Sequence, residues 1–197
     1  RQCRVAMHGD GLAVSLAFGG RQVSVIGFGI TLVVRYILET SSTTAEAMQA
    51  LRRIPVHMSY NVIVLDRAGH YAVAYLSPDR PATVVEQPVC TNHQGQVEWD
   101  EYAAFTQTLQ RYDYLEELLR DENVDRAQLL KRFLKPPLYH QQYLRGFGTL
   151  YSVAYDLKRK TARVFWPDQH IEVGFKNFEE QDLKIVLLKP VGRYMAK

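Results

Sequence analysis

Apolar and polar positions alternate along the chain in blocks of two periods, one near 2 and one near 3.6. Residues 1–7 alternate loosely, His8-Gly9-Asp10-Gly11 interrupts them, and a second apolar run from 12 to 18 closes on Gly19-Gly20. Two such runs about a Gly/Asp turn predict a β-hairpin. A glycine-punctuated loop spans 21–29. Apolar residues at 30, 33, 34, 37 and 38 then follow helical spacing as far as Thr40. Thr43 with Glu46 three positions later has the form of a capping box. It opens a second helix over 44–54, with Ala47, Met48, Leu51 and Ile54 on one face and Pro55 as its stop.

Short strands are predicted next, at 60–66, 71–76, 83–86 and 89–92, with turns at Asp66-Arg67-Ala68-Gly69 and Ser77-Pro78-Asp79. Residues 99–120 and 124–134 predict one helix each, and Pro136-Pro137 ends the second. A hairpin over 149–157 and 161–166 turns on Lys158-Arg159-Lys160, and 171–175 adds a strand; the tail 185–197, apolar then basic, carries no determined element. Hairpins and paired helices alternate in blocks rather than as βαβ units. That argues for an α+β fold of mostly antiparallel sheets with helices packed outside. A four-layer αββα sandwich satisfies the order; by pattern alone, so does a two-layer α+β fold.

Composition narrows the class. At 197 residues, 47% apolar and 23% charged, the chain has room for one ordinary globular domain, 1–197, with a substantial core. A net charge of +3, from 24 basic and 21 acidic side chains, is too even to indicate nucleic acid or an anionic membrane as partner. The longest apolar stretch, 30–38, is broken by Arg35 and is too short to span a bilayer. The opening residues lack the pattern of a signal peptide, so none is expected there. Cys3 and Cys90 stand in neither a Cys-x-x-Cys nor a zinc spacing, so neither a disulfide framework nor a metal is expected. A reducing, cytoplasmic setting is the default expectation. Arg1 opens into a predicted strand without an initiator Met, so the chain is expected to be cut from something longer.

Several short motifs occur in order: Gly11-Leu12-Ala13-Val14-Ser15, Gly27-Phe28-Gly29-Ile30, Val34-Arg35-Tyr36-Ile37-Leu38-Glu39-Thr40, Ala45-Glu46-Ala47 and Arg53-Ile54-Pro55. The strand ending at 61–66 and the box Cys90-Thr91-Asn92-His93 follow. Together they resemble the acyl-coenzyme A:6-aminopenicillanic acid acyltransferase family of N-terminal-nucleophile proteins. That family is related in fold to choloylglycine hydrolases and N-acylethanolamine acid amidases. The resemblance covers 1–93, resumes at 145–156, and holds over 99–143 only in position and character.

The resemblance implies the αββα sandwich and a precursor that cleaves itself just before a Cys. The freed α-amino group, with a pKa of about 7.7–8.0, then serves as base for that residue's own thiol. The thiol attacks an amide carbonyl, and water or another acceptor takes the acyl group. Donors already aimed at the oxyanion are worth about 3–4 kcal/mol each. Residue by residue, the family's oxyanion-hole Asn falls on Asn92. Its nucleophilic Cys and the acidic partner match no residue here and would lie upstream of Arg1. The implied partners are a small-molecule amide or acyl donor and the missing N-terminal segment or companion chain. Coenzyme A would enter only as part of an acyl donor, no other cofactor is implied, and a homo-oligomer is left open.

The remaining candidates follow from position. Adjacent strand residues point to opposite faces, so His93 is expected to support the site rather than share it with Asn92. Cys90, two residues before Asn92, is expected on the same face, lining the substrate pocket rather than attacking. Cys3 has two residues before it and becomes a terminal nucleophile only if they are removed. Arg145 is a candidate for a substrate carboxylate, with a solvated loop charge as its ordinary alternative. Arg35 and Glu39 are spaced for an ion pair along one helix. Gly11, Gly27 and Gly29 suit turns and form no phosphate cradle. Three functions remain: an amide hydrolase or acyltransferase, a catalytically silent small-molecule-binding protein on the same scaffold, and an unrelated α+β domain.

Overall fold

A computed structural model describes residues 5–176, 178–180 and 182–187. Arg1, Cys3 and most of the 185–197 tail lie outside the described residues. The first block is a five-stranded antiparallel sheet whose strands follow one another in sequence order: β1 (Val5–Met7), β2 (Ala13–Phe18), β3 (Tyr60–Leu65), β4 (Tyr71–Ser77) and β5 (Arg80–Val85). Val14 lies opposite Val64 and Leu16 opposite Val62, while Val62 and Val64 face Ala74 and Ala72 on the next strand. Because side chains alternate, these residues share one face.

Helices α1 (Ile30–Thr40) and α2 (Thr44–Leu51) cover that face. Val33, Val34 and Ile37 from α1 and Ala47, Met48 and Leu51 from α2 join Leu12, Val14, Val62, Val64 and Leu76 in one buried cluster. Burying a side chain of Val, Leu or Ile size is worth about 1.5–3 kcal/mol, so this cluster is the main support of the first block. The start of α2 is as the sequence predicts. Thr43 Oγ1 accepts from the Glu46 N–H at 3.3 Å, and the Glu46 carboxylate accepts from the Thr43 N–H at 3.2 Å. Such a cap is worth about 1 kcal/mol. The buried Asp66 carboxylate accepts from the backbone N–H groups of Thr44, Ala68 and His70 at 3.1, 3.0 and 3.1 Å, fastening the β3–β4 turn to that helix start.

The second block carries α3 (Asp100–Thr106), α4 (Thr108–Arg120) and α5 (Arg126–Arg132), then a 3-10 turn (Tyr143–Arg145). A three-stranded antiparallel sheet follows, β6 (Ser152–Asp156), β7 (Thr161–Phe165) and β8 (His170–Gly174). The fold is α+β, with five α-helices among the described residues and mostly antiparallel sheets, consistent with the αββα sandwich.

Two expectations are corrected. Residues 99–120 are not one helix: Gln107 sits in the left-handed region at φ 52° and divides α3 from α4. No glycine marks the break, which is why apolar periodicity runs across it unnoticed. Residues 89–92 form no strand. The carbonyls of Thr91 and His93 and the N–H of Asn92 are taken by side chains rather than by a neighbouring strand. The β5 strand also begins at Arg80, before Pro81, a residue without N–H that a sheet tolerates at its edge.

Candidate active site

Asn61 is on β3 between Tyr60 and Val62, both members of the helix-facing cluster, so its side chain belongs to the opposite face of the sheet. It is fully buried. Its Nδ2 donates to the carbonyls of Thr91 and His93, each at 2.8 Å, and so holds the irregular 91–93 segment on that face. The same segment is tied to the first turn of α4. The Asn92 N–H donates to Thr108 Oγ1 at 2.7 Å, and Thr91 Oγ1 donates to the Thr108 carbonyl at 3.1 Å. Gly20, at φ 71°, lies where an added Cβ would run into the Asn92 carbonyl oxygen. Gly20 therefore does more than follow β2: it leaves room for the Asn92 backbone to pass.

The Asn92 carboxamide is fixed at both ends. Arg111 Nη2 donates to Oδ1 at 2.8 Å, and Nδ2 donates to the Phe18 carbonyl, at the end of β2, at 3.1 Å. A guanidinium has only donors and a carbonyl only acceptors, so the two ends of the amide are not interchangeable. The second N–H points toward the Tyr102 hydroxyl at 3.5 Å, beyond a well-formed N–H···O bond. Tyr102 itself is packed between Trp99 (ring centroids 5.1 Å apart) and Phe18 (5.2 Å).

Arg111 Nε donates to the Thr106 carbonyl at 2.9 Å. Burial pulls this guanidinium below its ordinary pKa, and nearby Tyr102 and Cys90 offset part of that effect. Among the described residues it forms no ion pair with a carboxylate.

Cys90 belongs to the same cluster, close enough to Asn61, Arg111 and Tyr75 for each to influence or feel its charge. Burial pushes its thiol up to about 12, against smaller opposing effects from Asn61 and Arg111. A thiol so strongly protonated at neutral pH is a poor nucleophile. His93 Nδ1 sits 3.2 Å from Thr91 Oγ1 and 3.1 Å from Thr108 Oγ1, with its ring edge-on to Tyr112. Burial lowers its pKa first; the Arg111 charge acts in the same direction and Asp113 against both. Asn92 and His93 thus meet at one threonine hydroxyl although their side chains serve different contacts. Arg145 is exposed on the 3-10 turn. Two residues later Phe147 packs on Phe105 of α3 at 4.6 Å, which brings the turn's loop against the helix that carries Tyr102.

Sequence reasoning passed over Arg111, Thr108, Asn61, Tyr102 and Gly20. Three of these carried a signal. Asn61 is the one polar residue in the strand Tyr60–Leu65, and a buried polar group demands partners. Thr108 and Arg111 are three apart and so share a helix face. Among the described residues no cluster of His, Cys, Asp and Glu could hold a metal ion. No described helix is long and apolar enough to cross a membrane.

Sheet pairing and helix placement define an α+β protein consistent with the αββα sandwich class, with a pinned carboxamide on the sheet face turned away from α1 and α2. The chain belongs to the acyl-coenzyme A:6-aminopenicillanic acid acyl-transferase family, whose model matches residues 2–170. Membership suggests acyltransferase or hydrolase activity. No curated protein matches the chain.

Proposed function

We propose that this chain is part of a linear amide hydrolase or acyltransferase in which Asn92 stabilises the oxyanion formed when an acyl group is transferred to an N-terminal Cys. That Cys lies upstream of Arg1 in the full gene product and is released by self-cleavage. Its thiol gives a proton to its own α-amino group and attacks the amide carbonyl carbon. Negative charge gathers on the carbonyl oxygen, which receives the Asn92 N–H. The α-ammonium group returns that proton to the departing nitrogen as the tetrahedral intermediate collapses and expels the neutral amine, and water or a second acceptor then resolves the acyl-enzyme.

The observation that carries this reading is the state of the Asn92 amide. One N–H is held by Phe18 and the oxygen by Arg111, leaving a second N–H with only a long contact. A donor fixed in advance costs no reorganisation when charge appears. Cys90 lines the pocket as a neutral thiol, His93 steadies Thr108, and Arg145 meets substrate at the rim. Coenzyme A enters only as the leaving group of an acyl donor, and the setting is the cytoplasm.

The test is acyl-enzyme trapping on the full-length gene product, read by intact mass. A stable adduct on a new N-terminal Cys supports the reading. A full-length product with no such Cys and no adduct would replace it with a silent small-molecule-binding protein.

A further inference from the structure

We propose that Arg111 is a positioning residue for the transfer step, aligning the Asn92 carboxamide and strengthening its N–H as a donor. This rests on the reading of Asn92 as the oxyanion donor and adds the group that makes it effective. Three observations support it. First, the guanidinium is held by two bonds in its own plane, Nε to the Thr106 carbonyl at 2.9 Å and Nη2 to Asn92 Oδ1 at 2.8 Å. The break at Gln107 is what places Thr106 and Arg111 for the first of these: Thr106 is the last residue of α3, and Arg111 lies in the first turn of α4.

Second, a cation on the amide oxygen draws charge from the nitrogen through the conjugated carboxamide. Linked hydrogen bonds strengthen one another, and those with a charged member are the strongest. Third, this half-buried positive charge has no carboxylate ion pair among the described residues. A buried charge without a partner is costly. The negative charge that would complement it is the one that forms on the attacked carbonyl, transmitted through Asn92.

The alternative role, direct capture of a substrate carboxylate, separates in kinetics. The processed full-length protein would be assayed with an uncharged N-acyl-7-amino-4-methylcoumarin. Arg111→Met should lower kcat by about 10- to 100-fold with KM within about threefold, since only charge in the transition state is affected. Asn92→Ala should lower kcat by about 10²–10³-fold. Asn92→Ala combined with Arg111→Met should be no slower than Asn92→Ala alone, because Arg111 acts through the amide that is gone. Full additivity, or a rise in KM at constant kcat, would overturn the proposal.

A second readout needs neither activity nor the Met variant. In ¹⁵N-labelled protein the Asn92 side-chain amide protons should exchange with water at least about tenfold faster in Arg111→Lys than in wild type, because lysine cannot form the two-bond fork. Equal exchange overturns the proposal even if Arg111→Met does not fold. A wild type that neither acylates nor turns over the coumarin amide counts against the proposed function, and the exchange comparison then decides the Arg111–Asn92 coupling on its own.

Discussion

The side-chain nitrogen of Asn61 holds the carbonyls of Thr91 and His93 at 2.8 Å each, one on either side of Asn92. A residue in the middle of a sheet strand thus sets where an irregular segment lies. Asn61→Leu would leave two carbonyls without a donor in a buried place. Each orphaned group costs about 1–3 kcal/mol, so we expect a loss of about 2–4 kcal/mol in urea unfolding. Asn61→Asp should be worse, since a carboxylate would face two carbonyl oxygens. Full stability in Asn61→Leu would show that the 91–93 segment is held by other means.

Gly20 offers a test of the backbone approach. At φ 71° a side chain is strained by about 1–2 kcal/mol. Its Cβ would in addition press on the Asn92 carbonyl. Gly20→Ala should therefore lower the melting temperature by roughly 4–8 °C, at about 2–4 °C per kcal/mol for a chain of this size. It should also lower kcat, because Asn92 must shift. Gly69→Ala, strained at φ 98° but with nothing within 4 Å of the new Cβ, serves as control. It should lose stability from strain alone and leave kcat unchanged.

How much of this was legible in the sequence differs between the two blocks. The helical hairpin and sheet of the first block follow apolar periodicity because one face of each element is buried against the other. α1 is predicted to the residue, while α2 ends at Leu51 rather than at Ile54. The site segment fails the same method for a physical reason. At 91–93 the Thr91 and His93 carbonyls and the Asn92 N–H are taken by Asn61 and Thr108, whose distances in sequence no local pattern encodes. The break at Gln107 is equally silent, since its left-handed conformation is adopted by a residue with no special propensity for it. Asn92 itself was found through the motif Cys90-Thr91-Asn92-His93, not through periodicity. Arg111 lay in the stretch where that resemblance is weakest.

Thr108 links both halves of the site, so its hydroxyl and its methyl group should be separable. The hydroxyl accepts from the Asn92 N–H at 2.7 Å and donates to Thr91 Oγ1 at 2.9 Å. Thr108→Val keeps the shape and removes both bonds; we expect a loss of about 1–3 kcal/mol. Thr108→Ser keeps the oxygen and should retain most of that stability, and with it the position of Asn92. If Val and Ser behave alike in urea unfolding, the hydroxyl contributes nothing to holding the segment.

His93 and His140 give a pH dependence whose sign can be worked out. Burial lowers the pKa of each below that of an exposed histidine, with Arg111 adding to the effect. For His140 the cost of charging is plain in the geometry, because its buried Nε2 has no hydrogen-bond partner among the described residues. In the unfolded chain both imidazoles take up protons as pH falls through about 6.5. The folded protein resists until lower pH, so the unfolded state binds more protons and stability falls as pH drops. The loss should therefore begin near pH 6.5 and continue until the folded-state pKa values are passed. Asp66 and Glu98 also titrate below their ordinary range when folded. Their contribution is lost only below the unfolded carboxylate values of about 4, which leaves the interval between about pH 6.5 and 5 to the histidines. Urea midpoints across that interval should decline in wild type and flatten in the His93→Gln, His140→Gln double variant. Each single variant should fall between the two. A decline of undiminished slope in the double variant would assign the effect to other groups and remove the case that both imidazoles are neutral in the folded state.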